Sequence, residues 1–416
     1  VMRSEAQYPS MILRRRLLWL LRCYCYVFED AGLHAIVHMA MGVLDSGSPA
    51  NDVVVKLEAT HLLSALMKRE AKSELAAIVT PVLGTLLQEL YGLVLALGEL
   101  ELRKDVLSCV RKVVELVGPA VVGAIEAIGG PLPQLWAEAA ERNPMRPQIL
   151  LLVRSLVRAC GAQSAALQPL ALAMVRDALA VDQQNMYMAS EGVQLWLTLA
   201  RCAPEYTPDL DALMVQLLPL LSVEVEGSEE LQADTNLLRE LLLVLEAYAV
   251  LGGATMLRSR GDVVVSFLQR VLGEVKASAV QWVVRPLEAL LLACPAEAVA
   301  MLRGTDLLAR LVRPCLAGDE GTERATALHL AVLARAFLVD ASLLSTLCEQ
   351  MCAASYGPTP SAVLRGLLDL TLRHLDALGF IPTGTWRRRT CVAALLSLYP
   401  TAEEALLQSL PSVLTA

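Results

Sequence analysis

The feature that most constrains this chain is a helical segment that recurs along it. Stretches that open on a charged or small residue, run through a long apolar helix and end on a small residue begin near Arg14, Val55, Arg103, Met145, Glu191, Asn236, Val280 and Thr322. The starts lie roughly 40–50 residues apart, the length of one helix pair in a helical repeat array. Two shorter, less regular units follow at Ser361 and Arg387. Between Lys56 and Met67, residues Leu57, Ala59, Leu62, Leu63, Leu66 and Met67 share one broad face. Ile149, Leu152, Val153, Leu156 and Val157 do the same between Gln148 and Cys160. This is the period of helices with one buried side. The valine triplets at 53–55 and 263–265 sit inside that helical period and are not read as strands. Pro49, Pro81, Pro119, Pro131, Pro144, Pro169, Pro204, Pro219, Pro295, Pro314, Pro358 and Pro382 fall between the segments, as turns and helix starts do.

One such pair cannot bury both its faces, so neighbours must stack. The expected fold is all-α: a HEAT-repeat alpha-solenoid of about nine or ten antiparallel helix pairs running through residues 1–416. First helices would form the convex surface and second helices the concave one. One repeat carries a local HEAT signature: Asp52 closes a turn and Lys56 follows four positions later. The Asp52 side chain is placed to cap the next helix. In HEAT arrays such acids and bases also stack into a ladder between repeats. Lys56 stands where arginine is more usual, and the other units lack a clear Asp.

Composition excludes several classes. With 55% hydrophobic and 19% charged residues the chain is not disordered. A net charge of −8 is a poor match for nucleic acid. A membrane span needs about 18–20 apolar residues with few charges. The longest uncharged run, Ala159–Val175, contains Gln163, Ser164, Gln168 and Pro169, and elsewhere a charge falls every one to three turns, which argues against a polytopic membrane protein. No cleavable signal is expected: residues 1–9 are polar, and the apolar stretch after Arg16 ends at Glu29–Asp30. Ten cysteines are scattered through helical segments without Cys-x-x-Cys spacing, the usage of buried, reduced thiols in the cytosol or nucleus.

Chemistry-bearing motifs are sparse. His34 and His38 have i, i+4 spacing but no Glu after His34 and no third ligand, so they are ordinary helix residues. Cys348 and Cys352 lack a second pair to complete a tetrahedral metal site. No phosphate-binding glycine loop and no Gly-x-Ser-x-Gly elbow occurs, so the chain is expected to be no enzyme and to use no cofactor. Gly252–Gly253 follow a helix and are expected to end it. The triplets Arg14–Arg16 and Arg387–Arg389 each open an apolar helix and are read as solvated or inter-repeat faces. Glu224, Glu226, Glu229, Glu230 and Asp234 form the densest acidic stretch, a loop between helices and a candidate contact for a basic protein partner. Glu58, Arg111, Arg154, Glu191, Arg239 and Arg285 lie on segments assigned to the concave side; they are the candidate partner-facing charges, with inter-repeat pairing as their default role. Trp19, Trp136, Trp196, Trp282 and Trp386 are expected mostly in the core.

Several short motifs, in order and spacing, resemble the middle-to-C-terminal part of an importin-β family nuclear transport receptor of the importin-eleven type. They are Arg14–Leu20, Asp52–Thr60, Val106–Val110, Leu132–Trp136, Met145–Arg146 with Ile149–Leu150, Gly161–Ala162, Tyr187 and Glu191–Leu197. The resemblance is strong over the first half, thin after Pro204, and returns at Arg387–Pro400. Ser46–Asn51 look like an insertion, and Glu224–Asp234 do not align. The resemblance implies a monomer that binds protein cargo on the inner surface of its solenoid, folded proteins such as ubiquitin-conjugating enzymes or ribosomal proteins. It implies weak contacts with Phe-Gly-repeat nucleoporins, cargo release by Ran-GTP, and shuttling between nucleus and cytoplasm. Ran binds the family's N-terminal repeats, which nothing here resembles, so the chain is expected to be a fragment with little Ran response of its own. The alternative is a HEAT scaffold without transport, such as a phosphatase or coat-complex subunit.

Overall fold

The recurring segments become helices that stack in rows. The computed structural model describes residues 10–28, 30–45, 47, 52–68, 72–139, 144–180, 186–221, 235–274, 282–318, 323–380 and 384–398. Every regular element among the described residues is an α- or 3-10 helix. The chain divides into two compact units, Val1–Pro204 and Glu205–Ala416.

In the first unit the helices are α1 (Met11–Cys23), α2 (Asp30–Leu44), α3 (Val53–Leu66), α4 (Lys72–Val79), α5 (Leu83–Ala96), α6 (Leu100–Val117), α7 (Ile125–Gly129), α8 (Leu132–Glu138), α9 (Met145–Cys160), α10 (Gln168–Ala178) and α11 (Ala189–Cys202). Helices α1, α3, α6, α9 and α11 pack one on the next and form a row of second helices. The intervening helices back onto that row, α2 on α3, α5 on α6 and α10 on α11. Asp52 caps α3 as the turn signature predicts, accepting a hydrogen bond from the Val55 amide at 2.8 Å.

The second unit repeats the plan with α12 (Pro208–Leu213), α13 (Leu217–Leu221), α14 (Thr235–Glu274), α15 (Val284–Ala293), α16 (Pro295–Arg303), α17 (Leu307–Ala317), α18 (Glu323–Val339), α19 (Ser342–Ala353), α20 (Pro360–His374) and α21 (Gly384–Leu398). Its second-helix row is α14, α15, α18 and α21. The starts at Ser361 and Arg387 are therefore not two units. The Ser361 segment is α20, which pairs with α19 in the other row, while Arg387 opens the next second helix. Helices of both rows bury one stripe each, so periodicity alone does not separate them. Helix α18 has neighbours on nearly every side and buries eleven residues from Ala325 to Phe337, which fits its nearly all-round apolar sequence. Trp196, Tyr248 and Phe267 are the bulkiest fully buried side chains.

Glycines set where a second helix turns into the next first helix, as at Gly161 and Gly253. Gly161 ends α9 with φ +54° and ψ −131°, and Gly253 breaks α14 with φ +44° and ψ −121°. A side chain with a Cβ rarely adopts that backbone. Gly253 thus ends a helix as expected, but a second helical stretch resumes at once.

Three stretches, 72–96, 145–178 and 236–273, are long and apolar enough to cross a membrane by length and composition. Each is two helices joined at a break: the 3-10 turn at Pro81, Gly161 and Gly253. About half of each window is buried against other helices of the protein. Helix-to-helix packing accounts for the apolarity as well as lipid would.

Candidate functional site

The second-helix row carries a ladder of polar rungs between neighbouring rods. In the first unit Arg22 of α1 meets Glu58 of α3 at 3.2 Å. His61 of α3 meets Asp105 of α6 at 3.4 Å. Glu115 of α6 accepts from Arg111 at 2.7 Å and from Ser155 of α9 at 2.8 Å. Arg154 donates to Gln194 of α11. In the second unit Arg285 of α15 reaches Glu246 of α14 at 2.9 Å. The rungs Glu115–Ser155, Arg154–Gln194 and Glu246–Arg285 join residues 40, 40 and 39 positions apart, one repeat length each. The other row has its own rungs at the same interval: Trp136 donates to Asp177, 41 residues on, at 3.0 Å, and Arg258 to Glu297, 39 on, at 3.0 Å.

The six candidate cargo-facing charges all fall on second helices, but they differ in availability. Glu58 is only 7% exposed and is held by Arg22, so a contact with cargo is not open to it. Its helix is enclosed by α1, α2 and α6, which the local sequence does not reveal. Arg111 and Arg154 are half-buried and engaged in rungs. Glu191 is half-buried, Arg239 is exposed, and Arg285 is exposed while bound to Glu246. The ladder expected from the HEAT turn exists, but it is built by these residues and not by Asp52 and Lys56. The acidic stretch Glu224, Glu226, Glu229, Glu230 and Asp234 lies outside the described residues, as do Ser46 and residues 48–51 of the inserted turn.

Sequence reasoning missed two clusters built on tryptophan. Arg146 stacks over Trp136 at 4.8 Å and pairs with Asp177 at 3.2 Å, while the indole donates to the same Asp177. In the second unit Arg387 donates from Nε at 2.9 Å and from Nη2 at 2.6 Å to Glu288. Both residues are buried, and 99 positions separate them. Arg387 and Arg335 both lie 5.0 Å from the Trp386 ring. Residues beginning the Arg387–Arg389 triplet are therefore split: Arg387 is a buried clasp, and Arg388 pairs with Asp376 at 3.3 Å. The stacked pairs lie 10, 51 and 1 residues apart, so no fixed spacing marks these clusters in the sequence.

Around that clasp the second row opens into a cleft of about 870 Å³. Trp282, Val250, Leu292, Arg285, Arg324 and Trp386 line it, with Glu246 and Glu288 on its walls. Val250 and Leu292 are 72% and 57% exposed. Trp19 is half-exposed, so the tryptophans are not uniformly core.

No group of three or more His, Cys, Asp or Glu placed to hold a metal occurs among the described residues. His34 and His38 stack on one another, ring centroids 6.5 Å apart. Six of the ten thiols, Cys109, Cys160, Cys294, Cys315, Cys348 and Cys391, are buried as expected, whereas Cys23 is exposed and Cys25, Cys202 and Cys352 are half-buried. Burial pushes the Cys391 thiol up to about 12 and those of Cys109 and Cys315 up to about 11.

Two rows of laddered helix pairs define a HEAT-type solenoid of the kind used by nuclear transport receptors. Lph2, a bidirectional nuclear transport receptor of S. cerevisiae, superposes with a TM-score of 0.79 at 18% identity, over 97% of this chain and 42% of its own. Kap121p, solved bound to Nup53p, superposes with a TM-score of 0.50 at 14% identity, over 97% and 42%. The family model described as Importin-11-like, TPR repeats, matches residues 147–416, and the chain belongs to that family. Importin-11 of Mus musculus is 24% identical over 393 residues, 93% of this chain and 38% of its own length. The chain thus spans a little over a third of the relative it matches. The family match includes the region after Pro204, where the motif resemblance is thin. Short motifs are scarce there, but the apolar stripes continue. The importin family is non-enzymatic, in keeping with the sequence reading.

Proposed function

We propose that this chain is a cargo-binding stretch of a nuclear import receptor, gripping protein cargo with its second-helix row. The observation that carries this reading is an open, partly apolar cleft on that row in a chain of the importin-11-like family. In each unit the rungs of that row are mostly internal, so cargo affinity comes from the surface they leave free, not from the ladder. Weak contacts with Phe-Gly-repeat nucleoporins carry the receptor through the pore, and it shuttles between cytoplasm and nucleus. Ran-GTP acts mainly through N-terminal repeats of the receptor type, which this sequence does not resemble. The chain acts as a monomer, without nucleic acid, membrane insertion or cofactor.

The test is retention on immobilised Phe-Gly-repeat protein. The chain is expected to be retained and to be released by soluble Phe-Gly peptide. Elution with a HEAT scaffold that has no transport role would overturn the transport reading and favour a scaffold instead.

A further inference from the structure

The cleft of the second unit has an uneven charge account. Its two carboxylates already have arginine partners: Glu288 binds Nε and Nη2 of Arg387, and one oxygen of Glu246 takes Arg285 while its other oxygen is buried without a hydrogen bond. Those two arginines are neutralised by the same contacts. Arg324, exposed on the first turn of α18, lines the cleft and has no carboxylate partner among the described residues. Beside it stand the indoles of Trp282 and Trp386 and the exposed side chains of Val250 and Leu292. Among the described residues the cleft therefore offers one positive charge without a carboxylate partner, against an apolar wall. A basic group meets two carboxylates that already carry arginines, and taking Glu288 would strand the buried Arg387 guanidinium. An acidic group meets Arg324 without breaking any pair.

We propose that this cleft docks an extended segment of a protein cargo in which a carboxylate neighbours a bulky apolar side chain. The carboxylate pairs with Arg324, and the apolar side chain packs on Val250, Leu292 and the indoles. The volume suits a few residues of such a segment. This rests on the reading of the second-helix row as cargo surface and adds the chemistry of what it selects.

The test titrates the full chain into three fluorescein-labelled peptides of equal length, alternating Glu-Leu, Gln-Leu and Lys-Leu. The Glu-Leu peptide is expected to bind tightest and to weaken as salt is raised. Arg324→Ala is expected to weaken it about tenfold or more, while Arg324→Lys retains most of the binding. Leu292→Ser is expected to weaken all three peptides. Arg324 is exposed, so an unchanged melting temperature verifies that its variants fold. Equal binding of the three peptides, preference for Lys-Leu, no binding at all, or indifference to Arg324→Ala would each overturn the proposal. Retention on Phe-Gly-repeat protein is measured on the same preparation. Retention without an acidic preference sinks this inference and leaves the transport reading standing; loss of retention sinks that reading by itself.

Discussion

Asp211 sits where the other row of the second unit turns, and three donors converge on it. Tyr206 donates at 2.7 Å, Ser259 at 2.6 Å, and Arg260 from Nε at 2.7 Å and Nη2 at 2.6 Å. Burial works to raise its carboxyl, but the bonds from Ser259, Arg260 and Tyr206 outweigh it and hold Asp211 below the usual carboxylate range. Burial, with Asp211 beside it, pushes the Tyr206 phenol upward. A carboxyl lowered in the native state stabilises the fold above its unfolded value, near 3.9, and that contribution is lost as pH falls through the native value. Asp211→Asn is expected to destabilise the protein by about 1–3 kcal/mol at pH 7. The gap from the parent should narrow at pH 3. Urea unfolding at both pH values checks this, and an equal gap at both would count against the network. Asp52 and Asp211 mark what is readable at this scale. Asp52 caps the helix it precedes, three residues away, so its role is visible in the local pattern. Asp211 depends on Ser259 and Arg260, 48 and 49 residues on, and nothing near it in sequence announces them.

Among elements, the contact between α21 and α15 is the least local. Arg387 reaches Glu288 past α18, which packs on both. The pair is buried, so each charge depends on the other for its solvation. Removing either one, as in Arg387→Ala or Glu288→Ala, is expected to cost about 3–5 kcal/mol, because the remaining charge is stranded. Replacing both with Met is expected to recover most of that loss. The exposed rung Arg258–Glu297 is expected to contribute only about 0–1 kcal/mol. Urea denaturation of the two single variants and the double variant separates these cases. A double variant no more stable than the singles would show that packing, not charge, holds α21 in place. The helices themselves were legible: apolar spacing placed α3, α6, α9, α11, α15 and α18 close to where they lie. Row membership was not, as the Ser361 segment shows, because a stripe facing one row looks like a stripe facing the other.

For the molecule as a whole, its ten free cysteines report on packing in each unit. Cys23 is exposed and is expected to react first with a thiol reagent under native conditions. Cys109 and Cys160 in the first unit, and Cys294, Cys315, Cys348 and Cys391 in the second, are expected to react only on unfolding. Mass spectrometry of a timed labelling series checks this, and fast labelling of Cys391 in the folded protein would contradict its burial. The sequence by itself determined that the chain is helical, that it repeats at one interval, where most of its helices turn and where Asp52 caps, although Pro314 and Pro219, read as breaks, lie inside α17 and α13. Those properties are set by residues three or four apart, or by a single glycine or proline, and need no partner to be read. Only the tertiary structure decided which charges pair into rungs, that Glu58 is closed off, that Arg387 is a clasp and that Arg324 lines a cleft with two indoles. Those outcomes depend on how one rod is rotated and shifted against another about a repeat or more away, and a one-dimensional pattern holds no record of that rotation.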